Sequence, residues 1–168
     1  MNIKQYFGVK TKVFLFVLSA VLANLMVFWL GAAFAPLIAF LFIGANFFLR
    51  DALHETFGEK NLMWKMLCLS VITGWVSFLI NPSVYMIALA STVAFVSSTL
   101  SDTVVYQVLK NKAWLMKVNA SNVVSSAIDT VVFMFIAFGG APLYLLLLQF
   151  CTKLLGGAAW SIILKGLK

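Results

Sequence analysis

The chain has 168 residues, of which 63% are hydrophobic and 10% charged, and it carries a formal net charge of +7. Soluble domains are roughly 45–50% apolar and 25% charged, so this composition, with a mean hydropathy of +1.04, excludes a water-soluble globular domain and indicates an integral membrane protein. At about 20 residues per span the length suffices for six helices with short links and leaves no room for a soluble catalytic domain.

The first apolar run, Val13 to Leu30, follows Lys4, Lys10 and Lys12. It exceeds the 7–15 residues of a signal-peptide core and leads into more apolar sequence, which predicts an uncleaved first span at 12–31. Gly31 to Pro36 then forms an uncharged turn before a second span at 34–54. A charged link with Arg50, Asp51, Glu55, Glu59, Lys60 and Lys65 precedes the third span at 62–80, which ends at Asn81-Pro82. The fourth span is expected at 84–109. After Lys110, Lys112 and Lys117 comes the fifth at 119–138, and Gly139-Gly140-Ala141-Pro142 leads into the sixth at 142–165. Every proline lies at one of these uncharged turns, where it opens a helix without removing an internal hydrogen bond. The runs lack the two-residue alternation of outer-membrane strands, so the expected fold is all-α: one transmembrane domain over 1–168, with six helices in three short-linked hairpins. Apart from Lys153, lysine and arginine fall on the termini and the two charged links, which places both termini in the cytoplasm. The positive charge therefore reports topology, and no nucleic-acid partner is needed to explain it.

Within these apolar runs, two segments repeat one polar signature: Ser97-Ser98-Thr99-Leu100-Ser101-Asp102-Thr103-Val104-Val105 and Ser125-Ser126-Ala127-Ile128-Asp129-Thr130-Val131-Val132. A carboxylate at the bilayer centre costs about 2.5–3.5 kcal/mol on the insertion scale, so such residues mark cavities, partners or ligand paths. Asn122, Ser125, Ser126 and Asp129 share one helical face, as do Ser91, Phe95, Ser98, Asp102 and Tyr106 on the preceding span. By residue count Asp129 lies near the midplane and Asp102 nearer the cytoplasm. Gln149 and Lys153, one turn apart on the sixth span, place a cation at similar depth. An Asp129–Lys153 pair would neutralise both charges, and such a pair can also open to accept a ligand or proton. The serines and threonines have a second reading, as small residues that bond backbone carbonyls and let helices pack closely.

A second polar cluster runs from Asn46 to Gly58. Continued as a helix, it puts Asn46, Arg50 and His54 on one face and Asp51 and Glu55 on the next, an arrangement suited to a cytoplasmic gate or to a solvated helix end held by i,i+4 pairs. His54-Glu55 begins like a zinc-protease HExxH, but residue 58 is Gly58 and the chain has no second histidine, so no metal site is expected. No phosphate-binding loop or nucleophile elbow occurs, so neither a cofactor nor ATP hydrolysis by this chain is implied. Cys68 and Cys151 read as packing residues within spans. The tryptophans read as interfacial anchors. Trp75 is the exception, deep enough in the third span either to stack on a planar ligand or simply to pack.

Taken in order, Asn24, Phe34-Ala35-Pro36-Leu37, Arg50-Asp51-Ala52-Leu53-His54-Glu55-Thr56-Phe57-Gly58, Ser121-Asn122 with Ser125, Ile128-Asp129-Thr130, Phe133 and Ala137-Phe138 resemble the queuosine-precursor transporters, the VUT or vitamin uptake transporter family. The resemblance implies import of a 7-deazaguanine, either 7-cyano-7-deazaguanine (preQ0) or its aminomethyl relative (preQ1), across a bacterial cytoplasmic membrane for tRNA modification. The chemistry is compatible. A guanine-like base offers N1–H and a 2-amino group as donors that a carboxylate accepts, while O6 needs a donor such as Asn, Gln or Lys.

The substrate-binding residues expected are therefore Asp129, Asn122, Ser125, Ser126, Gln149, Lys153, Asp102 and Asn24, with Arg50, Asp51, His54 and Glu55 as a gate or coupling group. The expected partners are the small-molecule base and membrane lipid, with a homodimer compatible. Two transport alternatives stay open, facilitated diffusion with metabolic trapping or proton coupling. So does a substrate-binding subunit of an energy-coupling-factor importer, which would need ATPase partners. An intramembrane enzyme lacks a complete catalytic constellation, and a non-transporting scaffold leaves the buried charges unexplained.

Overall fold

A computed structural model describes residues 8–57, 61–109, 111–112 and 114–163. Its elements are α1 (Val9–Leu30), α2 (Ala35–Ile38), a π-helical turn (Ala39–Ile43), α3 (Gly44–Phe57), α4 (Leu62–Ile80), α5 (Tyr85–Val108), α6 (Trp114–Phe138) and α7 (Leu143–Ile163). Counting α2, the π turn and α3 as one rod, these make six helices long and apolar enough to cross a membrane. The all-helical reading holds. The rods overrun some predicted spans, with α3 reaching Phe57 and α6 starting at Trp114.

The turn chemistry explains the hairpins. Gly31 closes α1 at φ 79°, and Gly139 and Gly140 follow α6 at φ 71° and 120°, a backbone region that side chains disfavour. At the middle turn the Asn81 side chain accepts a hydrogen bond from the Ser83 N–H at 3.1 Å, while Pro82 opens the following turn of helix.

The helices form a closed ring. α1 packs on α4, α4 on α5, α5 on α6, α6 on α7, α7 on the α2–α3 rod, and that rod on α1. The most extensive contact joins α5 and α6 across a charged link, not either arm of a proline-turn hairpin. Buried small residues permit it: Ala90, Ala94 and Ser98 recur every fourth residue on α5, and Ser121 and Ser125 do so on α6. Ser98, Ser101 and Ser125 donate their hydroxyls to carbonyls of their own helices, which is the packing reading of these residues.

The π turn has no proline or charge to announce it. It lies where α7 crosses the rod: Gly156 is pressed against the Phe40 carbonyl and Gly44 against Gly156. A π turn widens a helix by one residue per turn, and its backbone shift coincides here with the glycine crossing.

Two apolar clusters sit at different depths in the ring. On the proline-turn side, Val21, Val27, Ala35, Ile38, Val84 and Met134 pack together. On the charged-link side, Phe16, Phe48, Leu53, Met66 and Phe95 do the same. Members of both clusters, among them Phe16, Phe95, Val27 and Ile38, line a space that buried polar residues share.

Candidate functional site: a polar cavity enclosed by six helices

All six rods contribute to an interior cavity of about 50 Å³ between the clusters. That volume accommodates a few waters and is well below the 300–1,000 Å³ of pockets that hold drug-sized ligands. In this structure the space between the helices is thus too narrow for a ligand of that size.

Lys153 is 2% exposed, an ammonium deep among apolar helices. Its Nζ donates to Asp129 Oδ2 at 2.5 Å and to Thr130 Oγ1 at 3.0 Å. The expected ion pair is thus present. Asp129 retains 13% exposure and lines the cavity, and its second carboxylate oxygen, Oδ1, bonds to no described residue. The pair removes the cost of two isolated buried charges and fixes the carboxylate at the cavity wall.

Asparagine amides are held on either side. Asn24 on α1 donates to Ser77 Oγ at 3.1 Å, and that hydroxyl in turn donates to the Thr73 carbonyl. Asn46 on α3 donates to the Phe16 carbonyl at 3.0 Å and to Ser19 Oγ at 3.2 Å. Both line the cavity with amide nitrogens already engaged. Gln149 also lines it, 3% exposed, and its Oε1 is buried without a hydrogen bond. Flat apolar surface comes from Phe16, Phe47, Phe95 and Phe133, with Phe16 and Phe95 edge to face at 6.0 Å.

The predicted site residues divide accordingly. Asp129, Gln149, Lys153 and Asn24 converge on one cavity, whereas Asn122, Ser125, Ser126 and Asp102 are not among its described lining residues. Asn122 shares the Asp129 face but lies seven residues away, about 10.5 Å along the helix axis. Depth separates them, and helical periodicity alone does not encode where a cavity ends. Ser125 and Ser126 are each 1% exposed, buried within the bundle but away from the cavity wall. Asp102 keeps an Oδ1 that is buried and unbonded, outside the cavity wall.

Arg50 is buried, with its guanidinium carbon 4.9 Å from the centre of the Phe47 ring. It thus touches a residue of the cavity wall. The side chains of Asp51, His54 and Glu55 lie outside the described residues.

Two sequence expectations are corrected. Trp75 is 60% exposed and lines an outward groove between α4 and α5, turned away from the interior cavity. Cys68 and Cys151 are exposed on the outer surface of the bundle instead of packed inside it. Both results follow from the ring, since a spanning helix buries only one side and leaves the rest to lipid.

The sequence reading passed over the α4 contribution. Ser70, Thr73 and Ser77 are all buried and recur at i, i+3 and i+7, the same one-sided spacing that marked α6. Ser70 and Thr73 line the cavity, and Ser77 anchors Asn24.

A family model described as "Putative vitamin uptake transporter" matches residues 3–165. The chain belongs to this family. The match takes in every rod of the ring and agrees with the resemblance read from the sequence. No curated protein and no solved structure matches the chain. A vitamin uptake transporter must hide a polar solute from hydrocarbon during passage. This member has buried polar and charged side chains in an interior cavity lined by all six rods.

Proposed function

We propose that this vitamin uptake transporter imports a queuosine precursor, a 7-deazaguanine such as preQ0 or preQ1, across a bacterial cytoplasmic membrane to supply tRNA modification. The observation that carries the proposal is Asp129, held by Lys153 at the wall of a cavity that also contains Gln149, Asn24 and phenylalanine rings. A deazaguanine is flat, has an edge of N–H donors beside a carbonyl, and carries no charge on its ring. Its donors call for a fixed carboxylate, its carbonyl for an amide donor and its faces for aromatic rings.

The ion pair favours the uncharged preQ0 over an anion, and over preQ1, whose aminomethyl group is an ammonium at neutral pH. Asp129 and Lys153 already balance each other, so a charged solute would leave a net charge in low dielectric. Alternating opening of the two apolar clusters moves the base from one face to the other, and Arg50 with Glu55 and His54 belongs to the inner gate.

The deciding experiment is uptake of labelled preQ0 and preQ1 in cells that can make neither. Expression of the wild-type chain should restore accumulation and queuosine in tRNA, and Asp129→Asn, inserted to the same level, should not. Equal uptake by the two would reduce the carboxylate to a structural charge. No rescue by wild type would refute the substrate assignment.

A further inference from the structure

Gln149 is the cavity amide with no hydrogen bond to a described residue. Its Oε1 is buried and unbonded, the described residues offer its Nε2 no partner, and the residue is 3% exposed. The neighbouring amides differ: Asn46 gives its nitrogen to Phe16 and Ser19, and Asn24 gives one of its two N–H groups to Ser77. Leaving a buried amide oxygen unbonded costs about 1–3 kcal/mol, so the Gln149 Oε1 is a ready acceptor for a group that enters the cavity. Because either orientation of the amide is equally unpartnered, the argument does not depend on which atom is oxygen.

Position adds a second constraint. Gln149 precedes Lys153 by about one helical turn, roughly 6 Å along α7, and Lys153 holds Asp129 through Oδ2. Two of the three ammonium donors are taken by Asp129 and Thr130, which makes Lys153 a positioning residue for the carboxylate. Among the polar groups lining the cavity are thus a carboxylate oxygen, Asp129 Oδ1, and the Gln149 carboxamide.

We propose that Gln149 reads a cyclic amide on the substrate, its Nε2–H donating to the ring carbonyl and its Oε1 accepting from the adjacent ring N–H, while Asp129 Oδ1 accepts from an exocyclic amino group next to that amide. This rests on the proposed function and sharpens it. The substrate class is a planar ring in which a lactam adjoins an amino group, and the carboxamide, not the lysine, meets the carbonyl. A primary amide and a lactam are complementary along two parallel hydrogen bonds, so the pairing is lost when either partner loses its donor–acceptor edge.

The test measures equilibrium binding to the purified full-length protein. The ligands are 7-cyano-7-deazaguanine, its 2-deamino analogue and its O6-methyl analogue, which lacks the lactam. Wild type should bind the parent about 10- to 100-fold more tightly than the O6-methyl analogue. Gln149→Met should lose about that factor for the parent and little for the O6-methyl analogue. A merely structural glutamine would weaken all ligands together. Parent binding within twofold of wild type in Gln149→Met would overturn the assignment while leaving the function standing. Failure of wild type to bind any of the three would instead refute the function. Should the variant not fold, the wild-type ratio alone decides: equal affinity for the parent and the O6-methyl analogue overturns the lactam reading.

Discussion

Gly44 and Gly156 meet backbone to backbone: a methyl group at Gly44 would lie 2.5 Å from the Gly156 carbonyl carbon, and one at Gly156 would lie 2.5 Å from the Phe40 carbonyl oxygen. The contact pins α7, which carries Gln149 and Lys153, to the rod that carries Asn46. Neither glycine needs an unusual backbone angle here, so the constraint is space.

Gly44→Ala or Gly156→Ala should therefore push α7 off the rod, because main chain cannot move aside as a side-chain tip can. Overpacking costs about 1–3 kcal/mol, and a lower melting temperature in detergent with reduced transport is expected. Gly157→Ala, at a position where an added methyl meets nothing within 4 Å, is the control and should behave as wild type.

The ion pair makes an asymmetric prediction. Lys153→Met strands Asp129 without its counter-charge, and breaking a buried pair typically costs about 3–5 kcal/mol, so yield and thermal stability should fall sharply. Combining it with Asp129→Asn should recover most of the stability and none of the transport. Recovery of transport in the double variant would show that the cavity needs no charge.

Arg50 meets the cavity wall at Phe47 and is not itself a lining residue among those described. Losing a desolvated cation–π contact of about 2 kcal/mol should alter closure more than recognition. Arg50→Met is expected to slow uptake about tenfold or more while changing equilibrium binding by less than about threefold. A larger loss of binding than of transport would move Arg50 from the gate into the site.

Topology can be read by chemical labelling. In a background lacking Cys68 and Cys151, cysteines at Ala33, Ser83 and Ala141 should react with an impermeant reagent outside intact cells, and those at Asn61 and Lys112 should not. Ala141 is used because Gly140, at φ 120°, disfavours a side chain. Labelling of Lys112→Cys from outside would invert the orientation.

Sequence alone determined the solvent, the number of spans and the hairpin turns, because each follows from local chemistry. Long uncharged runs must become helices in hydrocarbon, and glycine, asparagine and proline fix where the chain reverses. It also marked Asp129 and Lys153, since buried charges are rare enough to stand out without any knowledge of packing. The tertiary structure alone decided that α5 packs most extensively on α6, that the α2–α3 rod carries a π turn against Gly156, and that Trp75 faces outward. It also decided which polar residues share the cavity. Helical periodicity assigns a residue to a face of its own helix. The neighbour that face meets, and the depth at which the apolar clusters stop, depend on side chains far apart in sequence. Asn122 therefore shares a face with Asp129 yet does not line the cavity, while Thr73, Asn46 and Gln149, from three different helices, do.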